Sequence, residues 1–225
     1  MIEKKEEGIV LQTLAYRESS RIISILTPQS GIIRLIAQQV SKKKSALIHL
    51  TTPLCRAHFT YHIKRSSLYR LIDGHALDLH LSLRGKYAFL REAGTMVRLI
   101  LASQLQGKPS PLLYRLFLFS LRQLPQMAFP ETLRASFLLK LLKHEGLLSL
   151  SPTCLRCTQR SSEVLQGGES LCSPCSSPAA FAFSKKEWEL LSLLANTRLF
   201  AALQPLALPQ SLAKSLDSLF EQLFP

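Results

Sequence analysis

The front third of the chain carries short apolar runs with the two-residue period of β-strands. In the clearest run, residues 55–64, Cys, Ala, Phe, Tyr and Ile alternate with Arg, His, Thr, His and Lys. Between two other runs, Thr27-Pro28-Gln29-Ser30-Gly31 predicts a hairpin turn, because Pro suits its second position and Gly its exit. The predicted strands are residues 7–15, 21–27, 31–37, 55–64 and 67–73. Five short strands favour a small closed barrel, for which the OB-fold is the usual nucleic-acid-binding example.

After Gly74 the apolar positions take on helical spacing. Ser184 followed by Glu187 predicts a capping box at the start of one helix. The predicted helices are residues 86–106, a segment that begins near Pro111, residues 131–148, a segment that begins at Ser184, and residues 211–224. The fold class is therefore α+β. We predict an N-terminal five-stranded barrel over residues 1–76 and an α-helical domain over residues 77–225.

The mean hydropathy of +0.13 is high for a soluble protein and raises the question of a membrane-spanning helix. A membrane-spanning helix needs about 20 consecutive apolar residues. The best candidate, Leu112 to Leu124, is interrupted by Arg115, Ser120 and Arg122, which predicts an amphipathic helix. The charged N-terminus is unlike a signal peptide. We expect a cytoplasmic protein with no membrane contact.

The net charge of +13 points to a polyanionic partner, which is nucleic acid, an anionic membrane or an acidic protein tail. Residues 1–75 hold 12 basic and 5 acidic side chains, so the charge is concentrated in the predicted barrel. Neighbouring strands could merge these charges into one patch that follows a phosphate backbone without reading sequence. The candidate DNA-binding residues are Arg17, Arg21, Arg34, Lys42, Lys43, Lys44, Arg56, Lys64 and Arg65.

Four of the five cysteines form two CxxC pairs, Cys154/Cys157 and Cys172/Cys175. This spacing is typical of a tetrahedral zinc site. A metal would stabilise the module at about residues 150–180, which lacks an apolar core of its own. Two disulfides, or cysteines without a metal, are the alternatives. Four thiolates leave no open position for water, so we predict structural zinc. No phosphate-binding loop, GxSxG or HExxH motif is present, and we expect no enzyme activity.

Several of these residues, taken in order, resemble a known family. The runs Gly8 to Leu11, Tyr16 to Ile23 and Leu26 to Arg34 are similar to the N-terminal barrel of the bacterial RecO family. Phe137 to Leu142 resembles the helix that precedes its cysteines, and the two CxxC pairs resemble its zinc module. One departure is the run Ala37 to Ser41, which lacks the Gly that we expect after Ala.

The resemblance implies an OB-fold followed by a helical domain with the zinc module inserted. It also implies binding of single- and double-stranded DNA, annealing of complementary strands, and help in loading RecA. The implied protein partners are RecR and the acidic C-terminal tail of the single-stranded-DNA-binding protein SSB. Arg98, Arg115 and Arg122 beside Leu and Phe offer material for a site for that tail. Such a protein would associate with the nucleoid in the cytoplasm.

Two other classes of protein function are alternatives when the residues are considered alone. A zinc-dependent enzyme acting on nucleic acid would need an open metal position or a paired acid and base, and the sequence offers neither. A zinc-containing adaptor that binds acidic protein tails, without a primary DNA role, would use the same basic charge. A DNA-binding assay and a pull-down with an acidic peptide would separate the adaptor from the DNA mediator.

Overall fold

The computed structural model describes residues 2–40, 47–63, 66–158 and 163–224. The chain divides into two compact units, Met1–Arg122 and Gln123–Pro225. The first unit therefore contains the barrel together with the two helices that follow it. The predicted domain boundary after residue 76 stays a prediction.

Five strands close into a barrel in the order β1-β2-β3-β5-β4, and β4 pairs back with β1. The pair β3–β5 is parallel, and the others are antiparallel. The strands are β1 (Ile2–Tyr16), β2 (Ser20–Thr27), β3 (Gly31–Ala37), β4 (Arg56–Ile63) and β5 (Leu68–Asp78). The predicted α+β class and five-stranded barrel are confirmed, although β1 and β5 are longer than the pattern indicated.

Alternation along the strands fills the inside of the barrel. Ile23, Ile25 and Leu35 are fully buried, as are Ala57 and Phe59 on the strand whose alternation was clearest. Inward side chains at every second position are what the pleat of a strand dictates. The polar alternates on these strands consequently lie on the outer surface, where a ligand can reach them.

The predicted hairpin joins β2 and β3, with Thr27 opposite Gly31. The Thr27 hydroxyl accepts from the backbone N–H of Ser30 at 3.0 Å. Gly31 has a φ of +65°, and a Cβ there would lie 2.0 Å from the carbonyl oxygen of Lys108. Only glycine fits this position, because the backbone of Lys108 packs directly against it.

Three helices complete the first unit. They are α1 (Leu47–Leu50), α2 (Tyr87–Ser103) and α3 (Pro111–Gln123). A 3₁₀ turn over Leu81–Gly85 leads into α2. The prediction that α2 extends to residue 106 is wrong, because Gln104 is extended and Gln106 instead bridges to Ile32 of β3. No helix in the described ranges has the length and apolar character needed to cross a membrane.

The central helix of the second unit is α4 (Pro130–His144), and its residues 132–139 are all buried. The Ser136 hydroxyl of α4 donates to the Leu194 carbonyl at 2.7 Å. The other elements are β6 (Val164–Gln166), β7 (Glu169–Leu171), β8 (Phe181–Ala182), α5 (Lys185–Asn196) and α6 (Gln210–Leu223). The capping box of Ser184 and Glu187 at the start of α5 is confirmed. The predicted extension of α4 to Leu148 is wrong, since Gly146 ends the helical path with a φ of +73°.

Candidate metal centre and nucleic-acid interface

A small antiparallel sheet in the order β7-β6-β8 brings the two CxxC pairs together. Cys172 follows β7 directly, and the backbone N–H of Leu155 donates to Ser170 of that strand at 3.0 Å. Gly168 in the turn between β6 and β7 has a φ of +82°, and a Cβ there would lie 1.8 Å from the Leu147 carbonyl oxygen. Gly167 and Gly168, both with positive φ, therefore form a tight turn. The sheet itself gave no recognisable strand signal, because its strands are only two or three residues long.

The four sulfur atoms form one cluster in which all lie within 4.8 Å of one another. Sγ of Cys157 is 3.5 Å from Sγ of Cys172. In a tetrahedral zinc site with Zn–S bonds of about 2.3 Å, sulfur atoms lie about 3.8 Å apart. A disulfide needs about 2.05 Å, so this sulfur pair is not one. The four thiols fit zinc, and among the described residues no histidine or carboxylate joins the group.

The pKa values of the cysteine thiols also favour a bound cation. Burial disfavours a thiolate at Cys154, but backbone hydrogen bonds from Cys157, Cys172 and Arg156 outweigh it and lower the pKa of Cys154 to about 6. Hydrogen bonds from Cys172, burial and the neighbouring thiols raise the pKa of Cys175 to about 12. One thiolate thus forms easily and opposes the formation of more. A bound dication removes that repulsion, because it attracts every thiolate.

Two reverse turns, one on each CxxC pair, present the sulfurs. The N–H of Thr158 donates to the Cys154 carbonyl at 2.9 Å, and the N–H of Cys175 donates to the Cys172 carbonyl at 2.9 Å. Nη1 of Arg156 donates to the Cys175 carbonyl at 2.6 Å and so ties the two turns together. Arg156 is a positioning residue that spacing alone did not single out.

The sequence-predicted arginines of the barrel occupy two different outer faces. Arg56 of β4 lies beside acidic residues of β1. Its Nε donates to Glu7 Oε1 at 2.8 Å, and the Tyr114 hydroxyl donates to the same oxygen at 2.5 Å. Nε2 of His62 lies 3.6 Å from Glu3 Oε2. Arg56 and His62 of β4 therefore each lie beside a carboxylate of β1, and a DNA-binding role for Arg56 stays a prediction.

The β2–β3 face is the outer surface of β2, β3 and the second half of β1. Gln12, Ser24 and Arg34 are cross-strand partners and form one row. The next row joins Leu14, Ile22 and Ile36 and ends on Arg70 of β5. Strands 2 and 3 and the adjoining loops form the ligand face of OB-folds. Neither β2 nor β3 contains an acidic residue, so the charge of this face is positive.

The arginines of this face are open to a ligand. Arg17 is exposed in the β1–β2 loop, and its guanidinium lies 5.2 Å from the centre of the Tyr16 ring. Across the described part of the chain, no carboxylate lies within ion-pair distance of Arg17, Arg34 or Arg70. Arg21 differs, because its Nη1 donates to the Thr51 hydroxyl at 3.0 Å next to α1. Arg17, Arg34 and Arg70 could therefore bind phosphates without first breaking an ion pair.

A recess of about 300 Å³ opens on the β2–β3 face. Arg34 lines it together with Gln12, Ser24, Gln104 and Gln106. The glutamines supply both donors and acceptors, which is the complement that a base edge or a sugar requires. Sequence reasoning missed these glutamines, because a lone amide carries no pattern and Gln104 and Gln106 reach the barrel only through the bridge to Ile32.

The remaining predicted DNA-binding residues lie outside the described residues. They are Lys42, Lys43, Lys44, Lys64 and Arg65. Their roles stay predictions.

The exposed face of α3 combines basic and apolar side chains. Leu112 and Phe119 are 56% and 40% exposed, and Arg115 and Arg122 lie between and beyond them on the same face. Residues 79–130 contain seven basic side chains and one acidic one, Glu92, which is buried. Such a surface is complementary to an acidic segment with apolar groups.

Comparisons with known proteins agree on one family. Two family models match the chain, one described as Recombination protein O N terminal over residues 1–80 and one described as Recombination protein O C terminal over residues 66–223. The chain is similar to a DNA repair protein RecO of Chlamydia pneumoniae, with 29% identity over 219 residues that cover 96% of this chain and 86% of that protein. It is similar to the protein of the same description from Chlamydia muridarum, with 29% identity and coverage of 95% and 92%. For that of Bacillus pumilus the identity is 27%, with coverage of 83% and 71%.

Proposed function

Because this chain belongs to the recombination protein O (RecO) family, and is therefore a protein of DNA repair and recombination, we propose that it acts as a recombination mediator. It binds single- and double-stranded DNA, anneals complementary strands and, with RecR, helps to load RecA onto DNA coated by SSB. The observation that carries this proposal is the β2–β3 face, with arginines that have no carboxylate partner in the described part of the chain. Work on chromosomal DNA would place the protein in the cytoplasm, associated with the nucleoid.

Annealing follows from charge neutralisation. Two complementary strands repel each other through their phosphates, and a cationic surface that contacts the backbone lowers that repulsion without reading bases. Arg17, Arg34 and Arg70 provide such contacts, and the recess beside Arg34 offers a place for one sugar or base. Lys42, Lys43 and Lys44, which lie outside the described residues, would add further contacts to the phosphates. This role requires no bond to be made or broken, so we propose a non-enzymatic protein.

Zinc has a structural part in this proposal. Cys154, Cys157, Cys172 and Cys175 would hold the ion, which supplies a cross-link between the two CxxC turns. Four thiolate ligands leave no position for a substrate. The cross-link would stabilise a segment whose sheet is too small to fold by itself.

The face of α3 supports an interaction with the acidic tail of SSB. Arg115 and Arg122 would meet the acidic side chains, and Leu112 and Phe119 would meet the apolar end. An Arg115→Glu variant should then lose binding to a tail peptide and keep its affinity for bare DNA. Arg198→Glu, at an exposed position of the second unit, is the charge-matched control.

The first experiment measures fluorescence anisotropy of a labelled single-stranded oligonucleotide across a salt series, with the zinc content of the same sample. We expect tight binding that weakens with salt and about one zinc per chain. Changing Lys42, Lys43 and Lys44 together to Ala should weaken binding to every sequence alike. Unchanged affinity would exclude these three lysines from the site. No binding at low salt would favour the adaptor that uses its charge for acidic protein tails.

Annealing and loading need assays of their own. Complementary strands with a donor and an acceptor dye report annealing, which should be faster with the protein than without it. RecA filament formation on SSB-coated DNA, with and without RecR, tests the loading step. Binding of DNA without faster annealing would reduce the proposal to a DNA-binding protein.

A further inference from the structure

A largely apolar cavity of about 360 Å³ lies in the first unit, apart from the β2–β3 face. Its size is at the lower end of the range of ligand pockets, about 300–1,000 Å³. The turn that follows α1 forms one wall, the end of β5 and the 3₁₀ turn form a second, and α2 forms a third. The lining residues are Thr52, Pro53, Leu54, Leu79, His80, Arg84 and Leu90.

His80 is the buried polar group of this cavity, with 4% of its surface exposed. Its backbone is left-handed, with a φ of 46° and a ψ of 45°. Two contacts hold His80 in place. Its backbone N–H donates to Asp78 Oδ1 at 2.7 Å, and Nδ1 of its ring lies 2.9 Å from the Leu54 carbonyl oxygen. A carbonyl oxygen only accepts, so Nδ1 carries the hydrogen. In the neutral ring, Nε2 is therefore a hydrogen-bond acceptor.

No donor in the described part of the chain reaches that acceptor. Nε2 of His80 is buried without a hydrogen bond, and the nearest charged atom, Asp78 Oδ2, lies 3.6 Å away. Burial lowers the pKa of His80 and outweighs the opposing effects of Asp78 and the Leu54 carbonyl, so the neutral ring is favoured. Buried polar atoms of proteins are nearly always hydrogen-bonded, so an unpaired one in a residue that lines a cavity points to a ligand that supplies the partner. The ligand must carry a donor.

The rim of the cavity defines the rest of the ligand. Arg84 is exposed at its edge. Leu81 in the 3₁₀ turn and Tyr87 at the start of α2 are 59% and 79% exposed, and Leu90 on the cavity wall is 39% exposed. Glu92 is the one acidic residue between Asp78 and Glu131, and it is buried. The surroundings favour negative charge outside the cavity and an apolar body within it.

We propose that this cavity binds a tyrosine or tryptophan side chain from an acidic segment of a partner protein. The ring packs against Leu54, Leu79 and Leu90, and its O–H or N–H donates to His80 Nε2. An acidic neighbour in the partner pairs with Arg84. Tyrosine and tryptophan are the two side chains that combine a large apolar body with a donor at the tip, and they are enriched at the centres of interfaces. Phenylalanine would fill the cavity and leave Nε2 without a donor.

The test uses three fluorescein-labelled pentapeptides of the form Glu-Asp-X-Asp-Glu, in which X is Tyr, Trp or Phe. With the full chain we expect the Tyr and Trp peptides to bind at least about tenfold more tightly than the Phe peptide. His80→Asn should abolish this preference. Asparagine tolerates the left-handed backbone and its amide can still donate to the Leu54 carbonyl, but it is too short to replace Nε2.

Charge variants test the rim independently of His80. Arg84→Glu should weaken all three peptides alike, and Lys214→Glu on the exposed side of α6 should weaken none. Arg84 is exposed, so this variant keeps the proposal testable if His80→Asn does not fold.

Three results would overturn the inference: equal affinity for the Tyr and Phe peptides, no binding of any peptide, or displacement of the Tyr peptide by a saturating single-stranded oligonucleotide. The last would identify a nucleic-acid site instead. The affinity of His80→Asn for DNA should equal that of the natural sequence. A failure of the cavity inference therefore leaves the DNA-binding proposal intact, and the reverse also holds.

Discussion

The β2–β3 face can be tested by removing its charge while the barrel stays intact. The variant changes Arg17, Arg34 and Arg70 together to Ala. All three lie on the surface of the barrel and have no carboxylate partner in the described part of the chain, so their loss breaks no ion pair there. We expect the fold to be unaffected and binding of single-stranded DNA to fall.

The magnitude follows from counterion release. Each phosphate neutralised on a single strand contributes about −0.7 to the slope of log affinity against log salt. Three lost contacts should make the slope shallower by about 2, and at 0.1 M salt they should weaken binding about 100-fold. Anisotropy titrations of one labelled oligonucleotide between 50 and 300 mM salt measure both quantities.

The matched control is Arg56→Ala, on the neutralised face of the same barrel. Its side chain is held by Glu7, so its loss should leave the salt slope unchanged. It should instead lower the free energy of unfolding by about 1–3 kcal/mol, because a partly buried charged hydrogen bond disappears. A slope that changes as much for Arg56→Ala as for one of the three other arginines would refute the separation into two faces. An unchanged slope in the triple variant would exclude the β2–β3 face from DNA binding.

Three further predictions concern stability. Cys172→Ser should remove the zinc and lower the melting temperature of the protein, whereas Cys55→Ala in the barrel should leave the zinc content at about one per chain; equal zinc content in both would argue against the four-thiolate site. Gln39 has a φ of +57°, so Gln39→Gly should raise the free energy of unfolding by about 0.5–1 kcal/mol and the melting temperature by about 1–4 °C, and a lower melting temperature would contradict the strain. Burial opposes the charge on Glu7, but hydrogen bonds from its partners outweigh it and lower its pKa below 4.5, so its stabilisation is complete above that pH and is lost as the pH falls. Acid unfolding curves should therefore show a smaller loss of stability below pH 4.5 for Glu7→Gln, and identical curves would show that this carboxylate does not contribute.

The departure from the family pattern near residue 39 has a structural counterpart. The sequence resemblance led us to expect a Gly after Ala37 in the run that ends at Ser41. Gln39 takes the left-handed conformation there, which a glycine would adopt without strain. The backbone path thus accommodates a residue that local preference disfavours. The rest of the fold, rather than this residue, sets the direction in which the chain leaves β3.

Local patterns in the sequence determined the class of the fold, the five strands, the hairpin at Gly31 and the capping box at Ser184. Each depends on a period or a turn that neighbouring residues define among themselves, so no knowledge of distant contacts is needed. The CxxC spacing likewise indicated one cluster of four sulfurs, because two reverse turns present their thiols in the same way wherever the chain places them. The small sheet that joins the turns escaped notice, since strands of two or three residues have no period to detect.

Only the tertiary structure decided which basic residues pair with a carboxylate and which are left to contact a ligand. Arg34 and Arg56 look alike in the sequence, as outward alternates on amphipathic strands. Closure of the barrel puts β4 beside the acidic half of β1, so Arg56 pairs with Glu7, whereas the cross-strand neighbours of Arg34 are Ser24 of β2 and Leu68 of β5. The cavity at His80 could not be predicted from the sequence for the same reason, because Leu54 and Leu90 are distant in sequence and line it together only in the folded chain. Charge balance and cavities are properties of neighbours across strands and helices, and the order of residues along one strand does not contain them.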